Sequence, residues 1–529
     1  MNHELNSKNA YSDTEVKLVS NIDTGAIDYT GGDVISKACD VVVLGAGGSG
    51  MVAAVHAAEQ GAKVVVLEKA SRPGGNTWMA VYCAFALDLP DYVPPQGAPG
   101  MTLTMGQTID YSYQGVKDTA FKRCMEIEKW RRNPKVVHRS IDISNEVYHW
   151  LLGFGMKFDC VRPQSIQLSR RQAHHDQHGH NDPSNGPGYV GSYVIETMQE
   201  QAEQLGVEVI CRTRATALKQ DANGAASGVI AQSGGTTYDI SAKAVIIATG
   251  SFGANKELCQ RFFKEEYPDD GYMVRMGSGY STGDGILMGE KIGALVGEFL
   301  TMGTCGGVHH PWKYSVHSCA GGPGVMLVNR NGERFIAEDA MLSQYAYVQQ
   351  PGQIAYAIFD EDGLKDIIAD IDRNPHGTEE ERALMRNVSE DLKLEADEGK
   401  GKVIIAESLE ELAAGIGCDS AMLIAQTERY NHYCEVGRDD EMLKNPMFLK
   451  RTIKKAPFYA VKRQRMQIIT SGGLTPDEKM RVLNTKRQPM DGFYVVGDCS
   501  SGSGALSGLG WAFTSGYICA NEVMDYLKQ

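Results

Sequence analysis

Residues 39–70, CDVVVLGAGGSGMVAAVHAAEQGAKVVVLEKA, constrain what this chain can fold into more than any other stretch. Residues 40–44 form a short apolar run, the pattern of a parallel strand buried on both faces. Gly45, Gly47 and Gly50 follow as G-x-G-x-x-G, and residues 51–60 have helical composition. Residues 63–67 read as a second buried strand that ends on Glu68. In such a unit the first glycine permits a tight turn and the second lets the backbone approach a pyrophosphate. The third brings the helix close against the strand. The helix N-terminus then faces the phosphates with unpaired N–H groups, and Gly48 and Ser49 of the turn are expected cofactor contacts. Glu68 is placed to accept hydrogen bonds from ribose hydroxyls. The spacing implies a dinucleotide held by a Rossmann-like α/β unit.

The rest of the composition narrows the class. A chain of 529 residues exceeds one simple core and points to two domains, or to one large domain with an insertion. A net charge of -14 disfavours nucleic acid and anionic membrane surfaces as partners. Residues 1–38 are polar and acidic, without the apolar core of an export signal, so a cytoplasmic location is expected. The most apolar long stretch, residues 41–58, is broken by glycines and a histidine and makes a poor membrane span. The twelve cysteines include no Cys-x-x-Cys pair, which argues against an iron–sulfur cluster or structural zinc. His174, His175, His178 and His180 lie close together. The adjoining Gly179, Asn181, Asp182 and Pro183 favour a polar loop over a helical ligand pair, so no metal is expected.

Four further segments carry a resemblance. KASRPGGNTWMA (69–80) holds a second glycine turn, Gly74-Gly75. AVIIATGSFGAN (244–255), STGDGILMGEKIGA (281–294) and DGFYVVGDCSSGSGALSGLGWAFTSGYICANEV (491–523) follow in order. Together they resemble the flavoprotein family of fumarate reductase, succinate dehydrogenase, urocanate reductase and the 3-ketosteroid dehydrogenases, over residues 38–525. The resemblance implies an α/β fold: a Rossmann-like FAD-binding domain of the GR2 flavoprotein type with an inserted α+β capping domain. Residues 1–38 become an N-terminal extension, 39–302 and 465–529 the two parts of the FAD-binding domain, and 303–464 the cap. In the family that cap closes over substrate and excludes water.

The same resemblance assigns the cofactor shell. To Gly45, Gly47, Gly48, Ser49, Gly50 and Glu68 it adds Lys69, Gly74, Gly75, Asn76 and Thr77. From the middle of the chain come Ala215, Ala248, Thr249, Gly250 and Asp284. The terminal turn adds Gly497, Asp498, Ser507 and Leu509. Members with covalently attached flavin carry a histidine where Asn76 stands, so FAD is expected to be non-covalent. The last helix, beginning near residues 507–511, would direct its positive end at the flavin N1/C2=O edge.

Departures from the family pattern bear on the substrate. The histidine and arginine that hold a dicarboxylate in fumarate reductases match Ile469 and Ser507. The Glu–Arg pair of the proton relay matches Ser318 and Gly321, and the proton-donating arginine matches Leu342. Only His310-Pro311 is kept. A substrate carboxylate with no cation to meet it would be costly to desolvate, so a neutral, largely apolar substrate is expected. LSGLGWAFTSG is similar to the corresponding turn of Δ4 ketosteroid dehydrogenases. Tyr82, Tyr280, Gly472 and Gly508 are the expected substrate contacts. With Leu342 unable to donate, Tyr345 is the first candidate acid, one turn along if the stretch is helical. His310 is the second, with substrate orientation as its first role, and Tyr347 is the third; either tyrosine could instead be a packing aromatic of the cap. The expected reaction reduces an activated C=C next to a carbonyl, as in a 3-ketosteroid-like enone, or runs in reverse. The electron partner is a separate protein, a free flavin or NAD(P)H. Two alternatives stay open: an unsaturated-acid reductase of the fumarate or urocanate type using Arg275 or Arg334, and a flavin electron-transfer subunit without substrate chemistry.

Overall fold

The computed structural model describes residues 32–80, 82–88, 112–127, 130–156, 168–169, 190–264, 274–275, 277–308, 316, 324–339, 343–372, 386–399, 401–501 and 508–529. The chain divides into two compact units. The first comprises residues 1–262, 277–302 and 469–529, the second residues 263–276 and 303–468.

In the first unit β1 (Val34–Leu44) leads through the glycine turn into α1 (Gly48–Glu59) and β2 (Val64–Leu67). Three helices follow, α2 (Tyr113–Ile127), α3 (Pro134–Gly153) and α4 (Val190–Gln204). Next come β3 (Glu208–Ile210), the strands β4 (Arg214–Gln220), β5 (Ala226–Ser233) and β6 (Thr236–Ile247), and α5 (Asp284–Lys291). The second unit contributes β7 (Met326–Asn329), β8 (Ile354–Asp360), β9 (Val403–Ala406), α6 (Ser420–Val436) and most of β10 (Phe458–Leu474). The chain ends with β11 (Arg481–Leu483), β12 (Pro489–Val495) and α7 (Gly508–Leu527).

The large sheet of the first unit runs β11–β12–β6–β1–β2–β3, with β5 paired to β6 and β4 to β5. The central pairings are parallel: Val41 lies opposite Val64 on one side and Ala244 on the other, and Leu44 opposite Leu67 and Ile247. These strands are covered on both faces, which is why they read as unbroken apolar runs rather than alternating ones. Helix α1 is buried along most of its length and packs against α4 and α7. Its run of Ala53, Ala54 and Ala57 provides small side chains, which let helices approach closely.

The second unit is built on a sheet in which β7–β8–β10–β9 pair antiparallel and the short strand Val274–Arg275 joins β10 in parallel. Alternate residues enter two separate cores. Leu327, Ala357, Phe359 and Val461 pack on one face, Met326, Val328, Ile358 and Ala460 on the other. The period of two explains both sets.

Candidate active site

The glycine turn shows three different demands. Gly45 has φ +104°, and a Cβ there would lie 2.4 Å from the Ala248 carbonyl oxygen. A Cβ on Gly50 would lie 2.0 Å from the Gly45 oxygen. Both are required by the chain itself. Among the described residues a Cβ on Gly47 would meet only the Gly74 oxygen, at 3.9 Å. The space above Gly47 is therefore open, at the N-terminus of α1 where a phosphate is favoured. The Gly74-Gly75 turn runs beside it, with the Gly74 N–H donating to Ala46 at 2.8 Å and the Gly48 N–H donating to the Thr77 hydroxyl at 3.0 Å. Asn76 is fixed by accepting the Ser278 N–H at 2.6 Å.

Glu68 is buried, with its two oxygens accepting the Ala46 and Ala70 N–H groups at 2.8 and 2.7 Å. Burial pushes its carboxyl upward, and those N–H groups pull it back. Each oxygen keeps a lone pair for a ribose hydroxyl. Asp284 is differently occupied. Arg214 donates to it with two nitrogens at 2.9 Å, Lys69 at 3.0 Å and the Thr282 hydroxyl at 2.7 Å. Burial opposes its charge, but Lys69 and Arg214 hold the carboxyl down at about 2. Lys69 and Asp284 thus engage each other, Asp284 also engages Arg214, and together they tie the end of β2 and strand β4 to the start of α5. Ala215 is buried next to Arg214 on β4. Ala248 closes onto Leu44 through its N–H at 2.9 Å, and the Thr249 hydroxyl accepts the Gly285 N–H at 3.2 Å. At Gly250, φ is +72°.

The terminal turn supplies the clearest orphan. Asp498 follows Gly497, and its Oδ1 is enclosed with no hydrogen-bond partner among the described residues. Burial pushes this carboxyl up to about 7. A polyhydroxylated chain is the natural complement, since each hydroxyl donates to a carboxylate without bringing charge. With the open ground over Gly47 and the two lone pairs on Glu68, the residues present fit FAD. Gly497 is held by α7, whose Ser515 hydroxyl accepts its N–H at 3.1 Å and whose Trp511 indole donates to its oxygen at 3.1 Å. Gly508 opens α7, with no atom within 4 Å of an added Cβ, and Leu509 is buried. Ser507 lies outside the described residues.

A residue absent from the sequence reading enters here. Arg132, buried just before α3, donates to the Ser501 carbonyl oxygen and to the Ser471 hydroxyl. Ser471 follows Ile469 and precedes Gly472, where φ is +126°. No motif surrounds Arg132. The only sequence hint is Asn133-Pro134, a helix-cap signal that fixes where the preceding residue points.

The second unit places two of the candidate acids, Tyr345 and Tyr347, on a 3-10 helix, Ser343–Gln349. Tyr347 is 1% exposed, packs edge-on against Phe335 at 5.6 Å, and has no partner for its hydroxyl among the described residues. Burial pushes its phenol upward and the Arg463 charge offsets part of that. Behind this segment lies a buried charge cluster. Arg334 donates to Glu338 through two nitrogens at 2.9 Å and to Asp439 at 2.6 Å, while Lys444 reaches Glu338 at 3.1 Å. Arg334 is thus held inside its own unit through Nε and Nη2, while its buried Nη1 has no partner among the described residues. The side chains of Tyr345, Tyr82 and Arg275 lie outside the described residues, as do His310, Ser318, Gly321, Leu342 and the 174–180 histidines. Tyr82 belongs to a two-residue strand paired with Leu168–Ser169, and Tyr280 is half-buried in the turn before α5. Among the described residues no three His, Cys, Asp or Glu side chains are grouped to hold a metal.

The model of the FAD binding domain family matches residues 40–510. The chain belongs to the FAD binding domain family. Among relatives of this FAD binding domain protein is the vinyl phenol reductase of Lactiplantibacillus plantarum, 27% identical over 513 residues, covering 93% of this chain and 97% of that protein. An NADH:fumarate oxidoreductase of Klebsiella pneumoniae is 26% identical over 90% of this chain, which spans only 46% of that protein's length. Among solved structures, the 3-ketosteroid delta1-dehydrogenase of Sterolibacterium denitrificans matches with a TM-score of 0.69 at 20% identity, over 92% of this chain and all of that one. The protein is an FAD-dependent oxidoreductase of the class acting on CH–CH groups. No helix among the described residues is long and apolar enough to cross a membrane.

Proposed function

We propose that this oxidoreductase interconverts C=C and CH–CH in a neutral, apolar substrate whose double bond is activated by a carbonyl or an aromatic ring. FAD, when bound, supplies the hydride chemistry at N5. The protein's own residues bind the substrate, keep water away and deliver a proton to the carbon opposite the hydride. The observation that carries the substrate class is Ile469, within β10, where dicarboxylate reductases place a histidine. Arg334 adds to it, because Glu338 and Asp439 hold its Nε and Nη2 and its side chain is buried inside the second unit. The full-length similarity to a vinyl phenol reductase points the same way, since a vinyl phenol carries no carboxylate. The acid is drawn from Tyr345 first and His310 second. Tyr347, sealed and packed on Phe335, suits a packing role. The electron partner is a separate protein, a free flavin or NAD(P)H, and the cytoplasm is the proposed location. The test is anaerobic turnover with a reduced viologen dye against a 3-ketosteroid enone, a vinyl phenol, urocanate and fumarate. Fast turnover of a neutral alkene with slow turnover of both acids supports the reading, and the reverse order sinks it.

A second reading, an unsaturated-acid reductase, is favoured by Arg132, a buried cation beside the 470–473 segment. The same panel separates the two.

A further inference from the structure

Trp130 and Arg132 occupy consecutive turns of chain with opposite fates. Trp130 adopts φ +59° and donates its N–H to the Met125 carbonyl at 2.7 Å, which closes the end of α2. A left-handed conformation is unfavourable for a bulky residue, so something holds it there. Three residues later Asn133 caps α3, its side-chain oxygen accepting the Lys135 N–H at 3.0 Å, with Pro134 in the first turn. Trp130 is left 62% exposed, while Arg132 is driven inward to 3%.

The Arg132 guanidinium closes a seam between segments of the cofactor unit. The Ser501 N–H donates to the Leu474 oxygen at 2.9 Å, and Leu474 bridges Ser500 in parallel. On the far side, the Thr470 hydroxyl accepts the Phe252 N–H at 3.1 Å. Arg132 adds the bonds to the Ser501 oxygen and the Ser471 hydroxyl, so it spans residues 471 and 501 at the end of this seam. Asp498, whose enclosed Oδ1 marks the cofactor cradle, stands three residues before Ser501.

We propose that Arg132 is a positioning residue of the flavin site, which ties the 497–501 turn to the 470–474 segment and biases the cofactor toward its reduced state with a buried positive charge. A neutral amide could serve as the same staple without the cost of desolvating a guanidinium. A guanidinium stays charged at every working pH, and in a low-dielectric surrounding its field reaches several ångströms. Two-electron reduction with uptake of one proton adds one negative charge to the flavin ring, and a nearby fixed cation favours that product. The proposal rests on FAD binding and is independent of which alkene is the substrate.

The experiment is an anaerobic redox titration of the FAD-loaded wild type, Arg132→Lys and Arg132→Gln against a reference dye, with flavin content measured first. Lysine keeps the charge, and glutamine keeps hydrogen bonding without it. Arg132→Gln should shift the reduced-to-oxidised equilibrium at least tenfold toward oxidised, about 30 mV for two electrons, while Arg132→Lys recovers most of the shift. An unchanged equilibrium in both variants, with only a lowered melting temperature, leaves a neutral staple and overturns the proposal. So does an unchanged equilibrium with a raised KM confined to carboxylate substrates, which marks a substrate anchor instead. If neither variant retains FAD, the wild type decides alone. Its reduced flavin should keep the spectrum of the anionic form below the pH at which free reduced flavin becomes neutral, and a neutral spectrum there contradicts the proposal.

Discussion

Gly47 and Asp498 show how single residues separate cofactor binding from folding. The ground over Gly47 is open, so Gly47→Val leaves the fold intact and fills the pyrophosphate path instead. The variant should purify as a folded but colourless protein, checked by circular dichroism and by the absence of flavin absorbance. Loss of the fold together with the colour contradicts this account. Asp498 carries a carboxyl pushed up to about 7 by burial without a donor. Hydroxyl groups arriving with FAD stabilise the charged form and lower that value. FAD binding near pH 7 should therefore release a proton, seen as a buffer-dependent heat in calorimetry, and Asp498→Asn should abolish the release. A buffer-independent heat in the wild type removes the proposed contact. Among the acids, Tyr345→Phe should cut turnover roughly 10²–10⁴-fold with flavin content unchanged. Tyr347→Phe, which removes a buried hydroxyl without a partner, should be nearly silent in activity and neutral or slightly favourable in stability. A silent Tyr345→Phe ends the tyrosine proposal.

At the scale of elements, the legible parts were those whose pattern is local. The β1–turn–α1–β2 unit could be read because strand burial, glycine spacing and a terminal acid lie within 32 residues. The structure starts α1 at Gly48, inside the motif, because the turn and the first helical turn share the same glycines. The seam closed by Arg132 could not be read, since it joins residues 132, 471 and 501, which no periodicity links. The Asp284 network was half legible. The Thr-Gly-Asp-Gly segment marks the aspartate, but its partners come from elsewhere in the chain, Lys69 just past β2 and Arg214 on β4. Its carboxyl is held at about 2, below the ordinary 3.8. A depressed folded value means the unfolded chain binds the proton more readily. The stabilisation is thus fully present above about pH 4 and lost as pH falls toward 2. Nearly two units correspond to about 2 kcal/mol. Asp284→Asn should lose about that much at pH 7 by denaturant unfolding, with the gap to wild type closing near pH 2. A constant gap across that range contradicts the assignment. In the second unit, Glu338 meets both Arg334 and Lys444 in a fully buried setting. Removing one charge from such a cluster costs about 3–5 kcal/mol, so Glu338→Gln should destabilise far more than a surface substitution.

Over the whole molecule, the α/β class, the family and the cofactor were readable, because they rest on motifs spread along the chain in a fixed order. The substrate was not, because its class turns on charges that are missing from the expected positions. Excluding a carboxylate from the substrate rests on Ile469 and on the locked Arg334. The most direct test is rapid mixing of the dye-reduced, FAD-loaded protein with each alkene in turn, following flavin reoxidation without any electron partner. The account predicts fast reoxidation by a neutral enone or vinyl phenol and slow reoxidation by fumarate. Fumarate reoxidising the flavin as fast as any neutral alkene would contradict it.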